Sequence, residues 1–209
     1  MEQLGSIKLY NADCLEIMKT FPDKYFELAI VDPPYGINFS KTHTGTGWIV
    51  RESKEWDSSI PSKEYFEELF RVSKNRIIWG GNYMVQYLTP SMGWIFWDKG
   101  QRNFSLADGE LAYTSFNKAL RVYTYSRGKH QATREGWHPT EKPIQLYKWL
   151  LTNYAKQGDK ILDTHFGSLS IGIACHDMGF DLTACELDKD YYEAGKKRLK
   201  QHQSQLTMF

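Results

Sequence analysis

The segment FELAIVDPPYG, residues 26–36, decides the fold of this chain of 209 residues. Its apolar half, 26–31, has the length and composition of a buried strand, and Gly36 predicts the turn that follows. Two prolines stiffen Asp32-Pro33-Pro34-Tyr35, and because neither donates a hydrogen bond, nearby carbonyl groups are able to accept one. A carboxylate, a carbonyl and an aromatic ring at the mouth of a sheet suit a planar ring that carries an amino group. The alternative is a strand that simply ends at two prolines.

A second strand–helix–strand unit lies towards the C-terminus. Lys160 to Leu162 and Asp181 to Cys185 are predicted strands, and a helix from about Ser170 to Met178 connects them. Connections this short predict a βαβ unit and therefore an α/β fold with a doubly wound, mostly parallel sheet and an antiparallel hairpin at its edge. Further strands are predicted at 7–11, 76–79, 94–97, 111–114 and 120–125, and further helices at 13–20, 62–73, after Pro143 and at the C-terminus.

The bulk properties favour one domain over residues 1–209. With 41% hydrophobic and 15% aromatic residues, the chain is long enough for one well-buried α/β domain and too short for two. Three cysteines without CxxC spacing and six scattered histidines predict no metal. Because the N-terminus lacks a signal pattern and no apolar run reaches about 18 residues, we expect a soluble cytoplasmic protein without a membrane partner.

Charge is distributed unevenly although the net charge is only +1. Between Glu110 and Glu135 every charged residue is basic, and such a stretch can contact phosphates; a solvated loop and strand edge is the alternative. The polar stretch 38–59 lacks periodicity and is predicted to be a long mobile loop of the kind that carries function. The basic residues expected to contact nucleic acid are Lys118, Arg121, Arg127, Lys129 and Arg134, with Lys41 and Arg51 from the loop.

The segment from Asp163 to Gly172 lies between a predicted strand and a predicted helix. In an α/β sheet this is where a nucleotide-like ligand binds. Gly167 and Ser168 allow the chain to pass close to a ligand, and the helix N-terminus favours a carboxylate. Glu186, nineteen positions after Gly167 (186 minus 167), ends the next strand, where an acid can accept hydrogen bonds from ribose hydroxyls. We therefore predict a site for an adenosine-containing cofactor.

These motifs together resemble the amino-methyltransferases that modify adenine N6 in DNA. Asp-Pro-Pro-Tyr is similar to their catalytic motif, and residues 163–172 are similar to their S-adenosylmethionine loop, with Leu169 where a second glycine is usual and Thr164 where a proline is usual. The resemblance implies a Rossmann-like class I methyltransferase fold. It also implies cofactor contacts from Asp13, Asp32, Thr140, Lys142, Asp163, His165, Phe166, Gly167, Ser168, Ser170, Glu186 and Leu187, with either His165 or Phe166 at the usual phenylalanine position.

The order of the motifs resembles the circularly permuted branch of that family, of phage or bacterial type, in which the catalytic motif precedes the cofactor motif. The resemblance implies double-stranded DNA as the substrate, with the target base flipped out and stacked on Tyr35. The resemblance does not decide whether the protein forms a homodimer. A role in restriction-modification is one expectation. Stretches 38–59 and 93–137 are the expected DNA-contacting insertions.

Two rival functions remain open from the sequence. Enzymes that methylate cytosine N4 more often carry Ser in place of Asp32, and related motifs also serve RNA or protein-glutamine methylation, the latter with Asn at that position. The second rival is a catalytically silent DNA-binding or partner subunit in which Leu169 closes the cofactor pocket. A titration with S-adenosylmethionine separates an enzyme from a silent subunit.

Overall fold

A computed structural model describes residues 1–38, 57–103, 107–133 and 140–206. The strands are β1 (Glu2–Leu4), β2 (Ile7–Tyr10), β3 (Phe26–Val31), β4 (Ser73–Trp79), β5 (Trp94–Asp98), β6 (Gly109–Thr114), β7 (Arg121–Thr124), β8 (Lys160–Asp163) and β9 (Asp181–Cys185). The helices are α1 (Cys14–Lys19), α2 (Lys63–Val72), α3 (Arg127–Thr133), α4 (Ile144–Tyr154), α5 (Ser170–Met178) and α6 (Lys189–Leu206), with short 3-10 turns at Gly81–Tyr83 and Val85–Tyr87.

All nine strands form one sheet in the order β1-β2-β9-β8-β3-β4-β6-β5-β7. β2, β9, β8, β3 and β4 are parallel neighbours, whereas β1 runs against β2 and β6 runs against both β4 and β5. The predicted fold class, a doubly wound and mostly parallel sheet, is therefore confirmed. β1 and α3 were not predicted, and β4 begins at Ser73 rather than at Arg76.

Local sequence explains why these elements form. β3 is buried along most of its length, as a central parallel strand must be. Ser62 caps α2 by accepting a hydrogen bond from the Tyr65 amide, and the buried residues of the helix, from Tyr65 to Val72, share one face. Two apolar clusters cover the two faces of the sheet, one containing α4 and α5 and the other containing α2.

The sheet has a switch point between β8 and β3. From β8 the chain winds through α5 to β9 on one side, and from β3 it winds through α2 to β4 on the other. Open α/β sheets bind ligands at the carboxyl ends of the strands beside such a point. Among the helices in the described ranges, none combines the length and the apolar character that a membrane span requires.

Candidate active site

The polar residues of interest line one edge of the sheet because seven strands point their carboxyl ends there. Following the strand order, this edge presents Glu186 after β9, Asp163 at the end of β8, Asp32 after β3 and Gly80 after β4. Glu110 joins them because β6 is antiparallel and begins at this edge. Asp32 therefore stands between the cofactor loop predicted from the sequence and the β5–β6 end of the sheet.

Asp32 is nearly withdrawn from solvent, with 18% of its side chain exposed. The Tyr35 hydroxyl donates to Asp32 Oδ1 at 2.8 Å, and Lys142 Nζ donates to Oδ2 at 2.5 Å. Burial raises the pKa of Asp32 above its ordinary value, and the positive charge of Lys142 opposes that rise. A carboxylate has about four lone-pair positions, so Asp32 retains capacity to accept further N–H groups.

Lys142 belongs to a line of alternating charges. Its Nζ also lies 3.2 Å from Glu110 Oε2, and Lys99 Nζ lies 2.6 Å from Glu110 Oε1. Burial alone would raise the pKa of Glu110, but the two lysines outweigh it and bring that pKa to about 2. In the structure Lys142 pairs with Asp32 and Glu110, and its predicted contact with the cofactor stays a prediction. Sequence patterns did not indicate Lys99 or Glu110.

Asp57 fixes the backbone of the tetrapeptide. Its Oδ1 accepts hydrogen bonds from the amides of Tyr35 and Gly36 at 2.8 and 2.9 Å, and its side chain is buried. The Asn38 amide also donates to the Asp57 carbonyl at 3.0 Å. Asp57 thus joins the motif to the far end of the predicted loop, 38–59, most of which lies outside the described residues. No motif in the sequence marked Asp57.

The Tyr35 ring is packed tightly. Gly80 has a φ of +66°, and a Cβ built on it would lie 2.2–2.7 Å from three carbons of the ring, so only glycine fits there. Tyr83 stacks on Tyr35 with ring centroids 5.2 Å apart and an interplanar angle of 17°. Tyr83 is itself 43% exposed, so it continues the aromatic surface of Tyr35 towards solvent.

A pocket of about 470 Å³ opens beside this motif, on the side away from β8. Asp32, Tyr35 and Lys142 line it, together with residues of β5, β6 and α3. Thr140 also lines it, so of the predicted cofactor contacts Asp32, Thr140 and Lys142 face this pocket. The volume accommodates a planar ring system of one or two rings.

The loop after β8 carries two strongly shifted groups. Burial raises the pKa of Asp163 to about 8, and burial lowers the pKa of His165 to about 4. The imidazole is therefore neutral at pH 7. Thr164 Oγ1 lies 2.6 Å from the Tyr65 hydroxyl and 2.9 Å from His165 Nδ1, so a hydrogen-bonded row ties the loop to α2.

Three predicted cofactor contacts of this loop turn into the protein interior. The Phe166 ring packs against Tyr192, with ring centroids 5.9 Å apart. The hydroxyls of Ser168 and Ser170 bond each other, and Arg198 donates to the Ser168 carbonyl and to Ser170 Oγ. All three residues are buried, so these contacts stabilise the loop from within the protein.

Glu186 lies beside that loop, as its spacing predicted. Its two oxygens accept hydrogen bonds from the amides of Gly167 and Asp188 at 3.0 and 2.9 Å. Leu187 follows with 71% of the residue exposed, which leaves an apolar side chain at the surface next to a carboxylate. Asp13 caps α1 by accepting a hydrogen bond from the Leu15 amide, which is the ordinary structural role for an acid before a helix.

Leu169 lies in the core of the protein. It is fully buried, and its side chain fills space that Gly172 and Gly195 leave beside it. Its φ is +56°, in the left-handed region that favours glycine. Leu169 caps α5 in the left-handed conformation, and the two glycines make room for the side chain in the core.

The basic stretch does not form one face. β7 runs parallel to β5 and crosses the sheet, so Arg121, at its start, lies at the edge opposite the site, and Lys118 there donates to the carbonyl of Asn153 at 3.0 Å. Arg127 and Lys129 follow the far end of β7 on α3, and Arg127 lines the pocket. These four residues therefore do not share one face, and their contact with DNA stays a prediction. Lys41, Arg51 and Arg134 lie outside the described residues.

Comparisons with known proteins agree with this geometry. Residues 96–197 match the N6/N4 family of DNA methylases. The chain is 24% identical to the type II methyltransferase M2.LlaDCHI of Lactococcus lactis subsp. cremoris, over 91% of this chain and 88% of that protein.

Solved structures share the fold. The M1.HpyAVI–SAM complex is 22% identical with a TM-score of 0.59, covering 92% of this chain and 99% of that one. The cytosine-N4-specific PvuII DNA methyltransferase is 11% identical with a TM-score of 0.60, covering 95% and 92%. At these identities both structures support the fold alone.

Proposed function

We propose that this chain, which is a DNA methyltransferase of the N6/N4 type, transfers a methyl group from S-adenosylmethionine to the N6 amino group of adenine in DNA. The observation that carries the proposal is the position of Asp32. The partly buried Asp32 carboxylate stands between two features: the loop and acid suited to an adenosine-containing cofactor, and the pocket suited to a base. Transfer between two bound molecules requires such an arrangement, because both reacting groups must meet at one point.

The residues at the switch point fit the proposed cofactor. Glu186 retains lone pairs for ribose hydroxyls beyond its two backbone hydrogen bonds, and exposed Leu187 offers an apolar surface to an adenine ring. Gly167 has a φ of +47°, which brings its backbone close to whatever lies above the loop. When bound, S-adenosylmethionine supplies an electrophilic methyl group; the protein contributes position and electrostatics.

Asp32 and the Pro33 carbonyl are proposed to act on the amine. An aromatic amine is a weak nucleophile because its lone pair is delocalised into the ring. Two acceptors that take both N–H groups favour a pyramidal nitrogen with a localised lone pair. The same carboxylate then stabilises the positive charge that develops on nitrogen, which is an electrostatic contribution of a fixed, partly desolvated group.

Adenine is proposed over cytosine because Asp32, rather than Ser, opens the tetrapeptide. The target atom lies inside a duplex, so the base must be flipped out of the stack, and the Tyr35–Tyr83 surface is the proposed aromatic contact. Cytosine N4 is the second candidate, favoured by the fold shared with the PvuII enzyme. The bacterial relative supports a bacterial cytoplasmic setting; phage origin and a homodimer stay proposals.

The test combines calorimetric titration with product analysis. We expect saturable binding of S-adenosylmethionine and N6-methyladenine in nucleoside digests of treated DNA. We expect Asp32→Ala and Asp32→Asn to lower the rate by at least about 100-fold, because each removes the charge that faces the developing cation. Near-normal turnover by folded Asp32→Ala would reject the role of Asp32, and N4-methylcytosine as the sole product would establish the second candidate instead.

A further inference from the structure

Glu110 forms part of the site by position, although no sequence motif contains it. It is the second residue of β6, at the edge of the sheet where Asp32 follows β3, and only 23% of its side chain is exposed. Lys142, with 3% exposed, lies between the two carboxylates, 2.5 Å from Asp32 and 3.2 Å from Glu110. The Tyr35 hydroxyl also approaches Glu110, at 3.4 Å.

The charges in this line have a consequence for the reaction. Lys142 beside Asp32 would by itself cancel the negative charge that the developing aminium needs. Glu110 supplies a second carboxylate to Lys142, so the three groups together remain net negative towards the pocket. Lys99 pairs with the other oxygen of Glu110, which makes the row of four neutral.

We propose that Glu110 is a positioning residue that acts through Lys142: it holds the ammonium group and offsets its charge, so that Asp32 remains an effective acceptor for the target amine. When an N–H group of the amine reaches Asp32, Lys142 can shift its hydrogen bond towards Glu110 and still keep a carboxylate partner. This inference rests on the proposed amino-methyltransfer.

The inference predicts that kcat falls when the charge of Glu110 is removed. In Glu110→Gln, Lys142 and Lys99 face Asp32 alone, so the row carries one net positive charge beside a nitrogen that becomes cationic. One uncompensated charge at this range, partly shielded from water, lowers kcat by about 10- to 100-fold. Glu110 also lines the pocket proposed for the base, but its two carboxylate oxygens are engaged by Lys142 and Lys99, so we expect the KM for DNA and the affinity for S-adenosylmethionine to change by less than about threefold.

The pH dependence supplies a readout that a purely structural role would not move. Glu110 raises the pKa of Asp32, so its removal lowers that pKa and moves the acidic limb of kcat to lower pH while the maximum rate falls. The other titratable groups that face Asp32 are Tyr35 on its own segment, Lys142 before α4, Tyr147 on α4 and Asp163 on β8.

The experiment compares Glu110→Gln with two further variants. Glu67→Gln is the matched control, since Glu67 makes an exposed ion pair with Lys63 on α2. The double variant Glu110→Gln/Lys142→Met restores neutrality and is expected to recover part of kcat. Circular dichroism and a binding titration with S-adenosylmethionine verify that each variant is folded.

The pKa of the Asp32 carboxyl is measured in the free protein by carbon-13 NMR, independently of activity. A lower Asp32 pKa and a lower kcat in Glu110→Gln, with the Glu67 control unchanged, support the inference. Wild-type kcat in Glu110→Gln, or an unchanged Asp32 pKa, overturns it. A wild type that does not methylate DNA would contradict the proposed function instead, and the NMR titration would still test the contact between Glu110, Lys142 and Asp32.

Discussion

Several charged side chains of this protein are largely buried. Asp32 and Lys142 form a buried pair, and removal of one partner from such a pair commonly costs about 3–5 kcal/mol of stability. Here Glu110 remains as a partner for Lys142, which limits the destabilisation in Asp32 variants. Lower rates in those variants can therefore be assigned to chemistry once folding has been verified.

Asp163 provides a prediction about pH and stability. Its pKa is about 8 in the folded protein, raised by burial from an ordinary value of 3.8. Because the pKa of Asp163 is raised in the folded protein, the stability linked to its protonated carboxyl is complete below the ordinary pKa of 3.8. That stability is lost as the pH rises through the folded pKa of about 8. The variant Asp163→Asn has a side chain of nearly the same shape that does not ionise, so it serves as the reference.

We expect the Tm of the wild type to fall relative to that of Asp163→Asn between about pH 4 and pH 8, and the difference to stay constant at higher pH. A change of 1 kcal/mol in the free energy of unfolding corresponds to about 2–4 °C in Tm for a domain of this size. The difference between the two Tm curves should therefore be measurable by calorimetry on the protein without ligand. Parallel Tm curves for the two proteins would show that the Asp163 carboxyl is not buried in this way.

At the scale of elements, the junction between β8 and α5 depends on a helix distant in sequence. Arg198 on α6 donates to the Ser168 carbonyl at 2.9 Å and to Glu141 Oε1 at 2.7 Å, all within the interior. One guanidinium thus connects the loop after β8 to the segment that carries Lys142. A buried arginine suits this task because its donors have a fixed geometry.

Leu169 gives the prediction for this junction. Leu169→Gly relieves the positive φ but removes a fully buried side chain, so we expect a net destabilisation of about 1–3 kcal/mol. Affinity for S-adenosylmethionine should stay within about threefold of the wild type, because the leucine side chain packs into the core.

Leu169→Ala is the control, since it removes packing and keeps the strained φ. It should therefore be less stable than Leu169→Gly in urea unfolding. A glycine variant that gains S-adenosylmethionine binding absent from the wild type would instead mean that Leu169 obstructs the cofactor.

At the scale of the whole molecule, the sheet separates residues that are near in sequence. Lys118 and Arg121 lie at one edge and Arg127 and Lys129 at the other, although the first and last of the four are only eleven positions apart (129 minus 118). On the proposed function, we therefore expect DNA that reaches the pocket to contact α3 and to remain distant from the start of β7.

Salt dependence of DNA binding tests this separation. Arg127→Ala/Lys129→Ala should reduce the slope of log K against log salt by up to about 0.9 for each phosphate that the protein no longer neutralises. The matched pair Lys118→Ala/Arg121→Ala removes the same charge at the opposite edge and should leave the slope unchanged. Equal effects of the two pairs would place the DNA elsewhere.

The sequence was sufficient where the signal is local. Continuous apolar runs predicted β3 and β9 with correct limits, and Ser62 and Gly179 mark the ends of α2 and α5. It was insufficient for β1, which is three residues long and exists only because it pairs with β2, and for α3, whose composition has no apolar stripe. Such short strands and helices depend on contacts with distant parts of the chain, which the pattern of their own residues does not reveal.

The sequence by itself determined the fold class, the DPPY motif at the end of β3 and the acid at the end of β9, because strand periodicity and motif spacing are properties of adjacent residues. Only the tertiary structure decided that Lys142 pairs with Asp32, that Glu110 and Asp57 support the motif, and that Leu169 packs inward. The contacts of Asp57 with Tyr35 and of Lys142 with Asp32 join residues separated by 22 and 110 positions, and burial sets the charge states at the site. Such distances and degrees of burial exist only once the sheet has brought its strands together.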